Sequence, residues 1–208
     1  MSLRKFLAGL ALSALALSGG SAFAQAAPYN PLGDIGINGA APLPGNFVQY
    51  TGQGGTLLGT GDIDITKTFW LYEKRGAYNG QSVDSWLVFW DPAPPGMPRA
   101  HGTVSWEQNI LNIFSTRNDL IATGALGFER AGYTYNYTTY VGLEGSQGDY
   151  ASFLGKTMTL DFTASDPGDY VRVFTAVPEP GTYAQLAAGL WVLGWMARRR
   201  LRTSATAA

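Results

Sequence analysis

Cysteine is absent from the chain, which excludes a disulfide framework, a zinc–thiolate centre and a thiol nucleophile. Histidine is nearly absent too. His101 is the only one, so metal sites built on several imidazoles are excluded, and any Ser-His-Asp triad would depend on this residue. No G-x-S-x-G elbow accompanies it. The nearest stretch, Gly145-Ser146-Gln147-Gly148, lacks the glycine two places before the serine. His101 follows a proline-rich loop, which places it at the surface and gives no basis for a catalytic role. No D-x-D-x-D-G calcium loop occurs, and no long segment repeats with helical periodicity between the two ends.

Positive charge is scarce in the middle of the chain. Residues 25–177 hold eight Lys and Arg against fourteen Asp and Glu, a net of −6, while the formal charge of the whole chain is −1 because six basic residues lie near the ends. A domain of that sign is a poor partner for nucleic acid or an anionic lipid surface and suits life in solution outside the cell.

The two ends read as handling segments. Arg4 and Lys5 precede an apolar run over 7–17, followed by small residues and the A-x-A pattern Ala22-Phe23-Ala24. The run is short for a membrane span and fits a cleaved signal peptide over 1–24, cut by signal peptidase after Ala24, with Ala26 the second choice. At the other end, 181–197 is apolar with Gln185 its only strongly polar side chain, and Arg198, Arg199, Arg200 and Arg202 follow. Seventeen helical residues reach about 25 Å, the low end of a transmembrane span. Its apolar residues surround the whole circumference instead of forming one stripe. Basic flanks stay in the cytoplasm, so the arginines anchor the topology and the preceding domain lies outside the inner membrane.

Between the ends, a chain of this size buries roughly 70% of its unfolded surface, enough for one core without staples. Residues 25–45 are rich in Ala, Pro, Gly and Asn and read as a flexible lead-in. The domain proper is expected over 46–177. Residues 47–50 form a short candidate strand. Residues 62–72 alternate and then turn wholly apolar and aromatic, and 83–90 is apolar except for Asp84 and Ser85, as in a strand buried on both faces. Further strands are expected over 102–106, 109–115 and the Tyr- and Thr-rich 133–141. Residues 156–164 alternate, with Met158, Leu160 and Phe162 on one face and Thr157, Thr159, Asp161 and Thr163 on the other. After the turn signal Ser165-Asp166-Pro167-Gly168, residues 169–177 return as a strand, so 156–164 and 169–177 read as a hairpin. Turn signals about every ten residues point to an all-β fold, an antiparallel, jelly-roll-like β-sandwich.

Candidate chemistry is thin. Asp62 and Asp64 share a strand face, and Asp166 and Asp169 bracket a turn; such oxygens suit calcium, although Asp at turns ordinarily bonds its own backbone. Fourteen carboxylates always offer a pair for glycoside hydrolysis, and only their separation decides that chemistry. No catalytic residue, metal or cofactor is assigned. Trp86, Val88 and Trp90 share a face of a core strand. Tyr133, Tyr135 and Tyr137 alternate along one face and are the candidate sugar-stacking residues. Asn136-Tyr137-Thr138 matches a glycosylation sequon.

Val177-Pro178-Glu179-Pro180-Gly181, the apolar segment and the arginine cluster occur in that order. The arrangement over 178–202 resembles the PEP-CTERM sorting signal of Gram-negative bacteria. The two prolines keep the motif extended and block helix propagation. The resemblance implies that an exosortase-type membrane enzyme recognises Pro178, Glu179 and Pro180 and removes the tail after export through the general export machinery. The stretches 85–92 (SWLVFWDP), 102–106 (GTVSW), 142–144 (GLE) and 166–173 (DPGDYVRV) resemble a recurrent domain type that precedes this signal, and that likeness implies no catalytic residues. The expectation is an exported cell-surface or extracellular-matrix protein, non-enzymatic, structural or carbohydrate-binding, and associated with exopolysaccharide. A secreted carboxylate-dependent glycoside hydrolase and a calcium-stabilised adhesion module are the alternatives.

Overall fold

The computed structural model describes residues 29–52, 57–58, 63–92, 98–137, 141–143, 145, 148–164, 168–177, 188–191 and 193. The fold is all-β, with two antiparallel-rich sheets. In the first, β1 (Leu32–Ile37) and β10 (Thr157–Thr163) flank β6 (Arg99–Ser105), and β9 (Tyr150–Leu154) closes the far edge beside β10. In the second, β5 (Gln81–Trp90) lies between β4 (Thr68–Tyr78) and β11 (Asp169–Ala176). Its edges are β2 (Phe47–Gln49), parallel to β4, and β7 (Ile110–Phe114), antiparallel to β11. A small parallel pair joins β3 (Leu57–Leu58) to β8 (Thr134–Tyr135).

Period-two alternation builds the shared core. Ile35, Ala100, Val104, Met158, Leu160 and Phe162 from the first sheet meet Trp70, Tyr72, Trp86, Val88, Trp90, Val171 and Val173 from the second. The other face of the second sheet is also covered. Leu71, Leu87, Phe89 and Tyr170 pack there against Leu120, Tyr135 and Val141, and Val83 and Phe174 against Phe128. This double cover explains the unbroken apolar run in β5. β4 and β5 are joined through Asn79 (φ 48°) and Gly80 (φ 77°), the left-handed pair that a two-residue hairpin turn requires.

Four sequence expectations are corrected. The strands at 156–164 and 169–177 do not pair with each other. β10 pairs with β6 and β9, and β11 with β5 and β7, so the connection crosses between sheets. The lead-in over 25–45 is not loose throughout: β1 pairs along its length with β6, and Ile35 is fully buried. Its glycines serve packing, since a Cβ at Gly33 would come 2.7 Å from Phe47 Cδ1. The strand expected from 62 begins at Thr68, because Asp64 accepts from Thr66 N and Oγ1, both at 2.7 Å, and holds a turn. Of the strand expected over 133–141, only Thr134–Tyr135 is extended in a ladder, and 138–140 lie outside the described residues.

A short helix, α1 (Arg117–Thr123), also went unread. Thr116 caps it, its Oγ1 accepting from Asp119 N at 3.2 Å. A π-turn, Gly124–Phe128, continues it. Among the described residues, no helix is long and apolar enough to cross a membrane. Most of 181–197 lies outside them, as do residues 1–28.

Candidate functional site

The three tyrosines expected to form a stacking platform are brought together, but as part of the packing. Tyr135 is buried and its hydroxyl accepts from Arg130 N at 3.0 Å. Tyr133 donates to Gly52 O at 2.7 Å, and Tyr137 donates to Glu129 Oε1 at 2.7 Å. The rings of Tyr135 and Tyr137 stack at 6.1 Å. Burial pushes both phenols well above their ordinary range. Rings and hydroxyls so committed do not offer a sugar one open aromatic face.

What Tyr135 and Tyr137 lie against is Arg172, a charged side chain in the middle of β11 with no solvent exposure. Alternation after Phe69 and Leu71 places Glu73 on the same face of the sheet, at a register shift between Tyr72 and Lys74. Arg172 Nε and Nη2 donate to its two carboxylate oxygens at 2.7 and 2.8 Å, and Ser85 Oγ adds a bond at 2.5 Å. Arg172 Nη1 donates to Leu120 O at 2.8 Å and Thr123 Oγ1 at 2.6 Å, and Nη2 to Tyr137 OH at 3.3 Å. The guanidinium lies 5.8 Å from the Tyr135 ring centre. The network thus fastens α1 and the 129–137 segment onto the second sheet. Burial works against the guanidinium's charge, but the adjoining Glu73 carboxylate outweighs it and holds Arg172 protonated.

A second polar cluster closes one end of the core. Tyr72 OH donates to Asp84 Oδ1 at 2.9 Å, and Arg75 grips both oxygens of Asp84 at 2.9 and 3.0 Å. Trp86 Nε1 donates to Thr175 Oγ1 at 3.0 Å; Tyr29 OH shares that hydroxyl at 2.9 Å, its ring 5.2 Å from Trp86. Burial pushes the Tyr29 phenol up to about 12.

The first sheet differs, because its outer face carries polar side chains, most of which are exposed or half-buried among the described residues. Alternation puts Arg99, His101, Thr103 and Ser105 of β6 on that face beside Thr157, Thr159, Asp161 and Thr163 of β10. The register forms rows across the four strands. One row is Asp34, Thr103, Thr159 and Ser152; the next is Gly36, His101, Asp161 and Tyr150. Arg99 Nε and Nη2 donate to Asp161 Oδ1 and Oδ2, each at 2.7 Å, and Ser105 and Thr157 share a bond at 2.9 Å. A groove of about 380 Å³, lined in part by Leu32, Asp34, Pro44, Thr103 and Ser105, lies at the β1 edge.

No protein-family model, curated protein or solved structure matches this chain.

Of the residues singled out in the sequence, Trp86 and Trp90 are fully buried, and His101 sits half-buried in the open face. Pro178, Glu179, Pro180, Arg198, Arg199, Arg200 and Ala24 lie outside the described residues, as do Asp62 and Asp166. Among the described residues, no three His, Asp or Glu side chains group as a metal site. The sequence reading missed Tyr150 and Arg99. The polar alternation through Asp161 was the available signal, since it marks a strand face that is not core.

Proposed function

We propose that this is an exported cell-surface or extracellular-matrix protein, sorted through a C-terminal PEP-CTERM signal and acting in an exopolysaccharide layer by binding, not catalysis. The order of parts over 177–202 carries this reading: a Pro-Glu-Pro motif, an apolar segment of near-spanning length, and a basic stop. Signal peptidase and the general export machinery are the partners at one end, an exosortase-type membrane enzyme at the other. The domain is read as a jelly-roll-like β-sandwich, supported by two sheets that share one core.

The position of the last strand supports the same account. β11 ends at Ala176, and five residues from there to Gly181 span at most about 17 Å fully extended. A membrane segment over 181–197 would therefore hold the folded domain close to the bilayer. Glu179 is the motif's only charged side chain. A complementary charge buried in the enzyme would read it, and removing one partner of such a pair costs about 2–5 kcal/mol.

The test is Glu179→Ala in the native host, followed by fractionation and sizing. The expected result is an export-competent precursor that keeps its tail and stays in the inner membrane. Mature-length protein at normal levels would remove the basis for a sorting signal here. Deleting Arg198, Arg199 and Arg200 should instead loosen topology, because that anchor acts independently of the cut.

A further inference from the structure

We propose that the outer face of the β1–β6–β10–β9 sheet is a binding site for a neutral polysaccharide, centred on Tyr150, His101 and the Arg99–Asp161 pair. The inference rests on the reading above that the domain works in a polysaccharide layer, and it names the site and the ligand class.

Openness is the first observation. The second sheet is buried on both faces, whereas on this face of the first Asp34, Arg99, Thr103, Tyr150 and Ser152 are exposed, with only Gly36, beside the Ala40 carbonyl, and Asp161 buried. Tyr150 keeps 48% of its surface open. It is the aromatic of this sheet that combines such exposure with a place on the polar face, directly across from Asp161 in the ladder. Directly opposed residues have Cβ atoms about 5 Å apart, so Tyr150 leaves the sheet next to Asp161, which Arg99 holds.

The chemistry of the row comes next. A sugar ring presents C–H groups on its faces and hydroxyls around its rim, and each hydroxyl both donates and accepts. An exposed phenol ring suits the first, with its oxygen free to remain wet. The Arg99–Asp161 pair suits the second. Two of the five guanidinium N–H groups are used on Asp161, and the others point away from it. Asp161 is itself buried and fixes the exposed guanidinium, so the remaining donors of Arg99 lie in one fixed plane at the surface. Thr103, Thr159 and Ser152 extend the hydroxyl-bearing surface by a row. His101 stands opposite Gly36, where a Cβ would collide with Ala40 O and come 2.9 Å from the imidazole Cε1, so the glycine leaves room for both. The groove of about 380 Å³ at the β1 edge continues the site and falls in the size range of small-ligand pockets.

Charge selects the neutral class. The positive charge of Arg99 is matched by Asp161, and Asp34 adds a further negative charge to the face. The domain region carries a net −6. A polymer rich in uronate or sulfate would meet repulsion there and, among the described residues of this face, no unpaired cation.

The experiment is affinity electrophoresis of the full chain in a non-sugar detergent, through native gels containing laminarin, dextran, galactomannan or alginate. At least one neutral polymer should retard the chain, and alginate should not. Tyr150→Ala should weaken that retardation by about tenfold, and Arg99→Gln by a comparable factor, while Tyr150→Phe retains it. Melting curves of all three variants check that each is folded. Retardation by alginate alone, by none of the neutral polymers, or by a neutral polymer with folded Tyr150→Ala unchanged would overturn the proposal. Those failures are separate from failure of the sorting reading, which is decided by the fate of Glu179→Ala in the host.

Discussion

Replacing Glu73 by Ala should be among the most damaging single changes available in this domain. Both side chains of the Glu73–Arg172 pair have zero exposure. The substitution removes the acceptor of two guanidinium bonds, at 2.7 and 2.8 Å, and orphans Ser85 Oγ. Arg172 keeps its bonds to Leu120 O and Thr123 Oγ1, but these are neutral partners and leave a full charge uncompensated inside the protein. Breaking a buried pair in this way costs about 3–5 kcal/mol, a factor of roughly a hundred to several thousand in the unfolding constant. Against a total stability of about 5–15 kcal/mol, the variant should be marginal. The double change Glu73→Leu with Arg172→Met should recover most of the loss, because burying two charges carries its own desolvation cost. The assay is urea unfolding of the full chain in mild detergent, followed by tryptophan fluorescence, for both single variants and the double. A cost below about 1 kcal/mol for Glu73→Ala, or a double variant no better than the singles, would refute the argument that an unpaired buried charge sets the penalty.

Two further outcomes follow from the same packing. Trp86→Ala removes a fully buried ring that touches Tyr29, Trp70 and Tyr72 and donates to Thr175; it should cost about 3–5 kcal/mol, checked by the same unfolding curves. Stability should also decline at alkaline pH. Burial raises the phenols of Tyr29, Tyr72, Tyr135, Tyr137 and Tyr170, that of Tyr29 to about 12. The folded state thus holds these protons more tightly than the unfolded chain, whose phenols titrate near 10. Their contribution is complete below about pH 10 and is lost progressively as pH rises toward about 12; urea midpoints measured across that window, with phenolate absorbance in parallel, check the sign.

Much of the strand content was legible because burial on one or both faces leaves a local mark. The run of 83–90 announced β5, and the alternation of 156–164 announced β10 with the correct inward set, Met158, Leu160 and Phe162. Pairing was not legible. Periodicity records which faces are covered but not which strand lies alongside, so neighbours in sequence read as a hairpin although they belong to different sheets. The tyrosines misled for a related reason. Tyr is equally at home on a wet sheet face and around a buried polar group, and the decisive clue was Arg172 inside the apolar run of β11. A guanidinium there requires a buried carboxylate and a shell of hydroxyls, which Glu73, Thr123 and Tyr137 supply. β1 was hidden by composition, since Gly33 and Gly36 mimic a linker although Gly33 makes room for the Phe47 ring and Gly36 for the Ala40 carbonyl and the His101 ring.

The central claim, export followed by removal of the tail, is tested most directly by mass spectrometry of the protein recovered from outside the inner membrane of the native host. The account requires a chain that begins at Gln25 and yields no peptide from the apolar segment 181–197 or the arginine cluster beyond it. An external protein that still carries Arg198, Arg199 and Arg200, or one that retains residues 1–24, would contradict it.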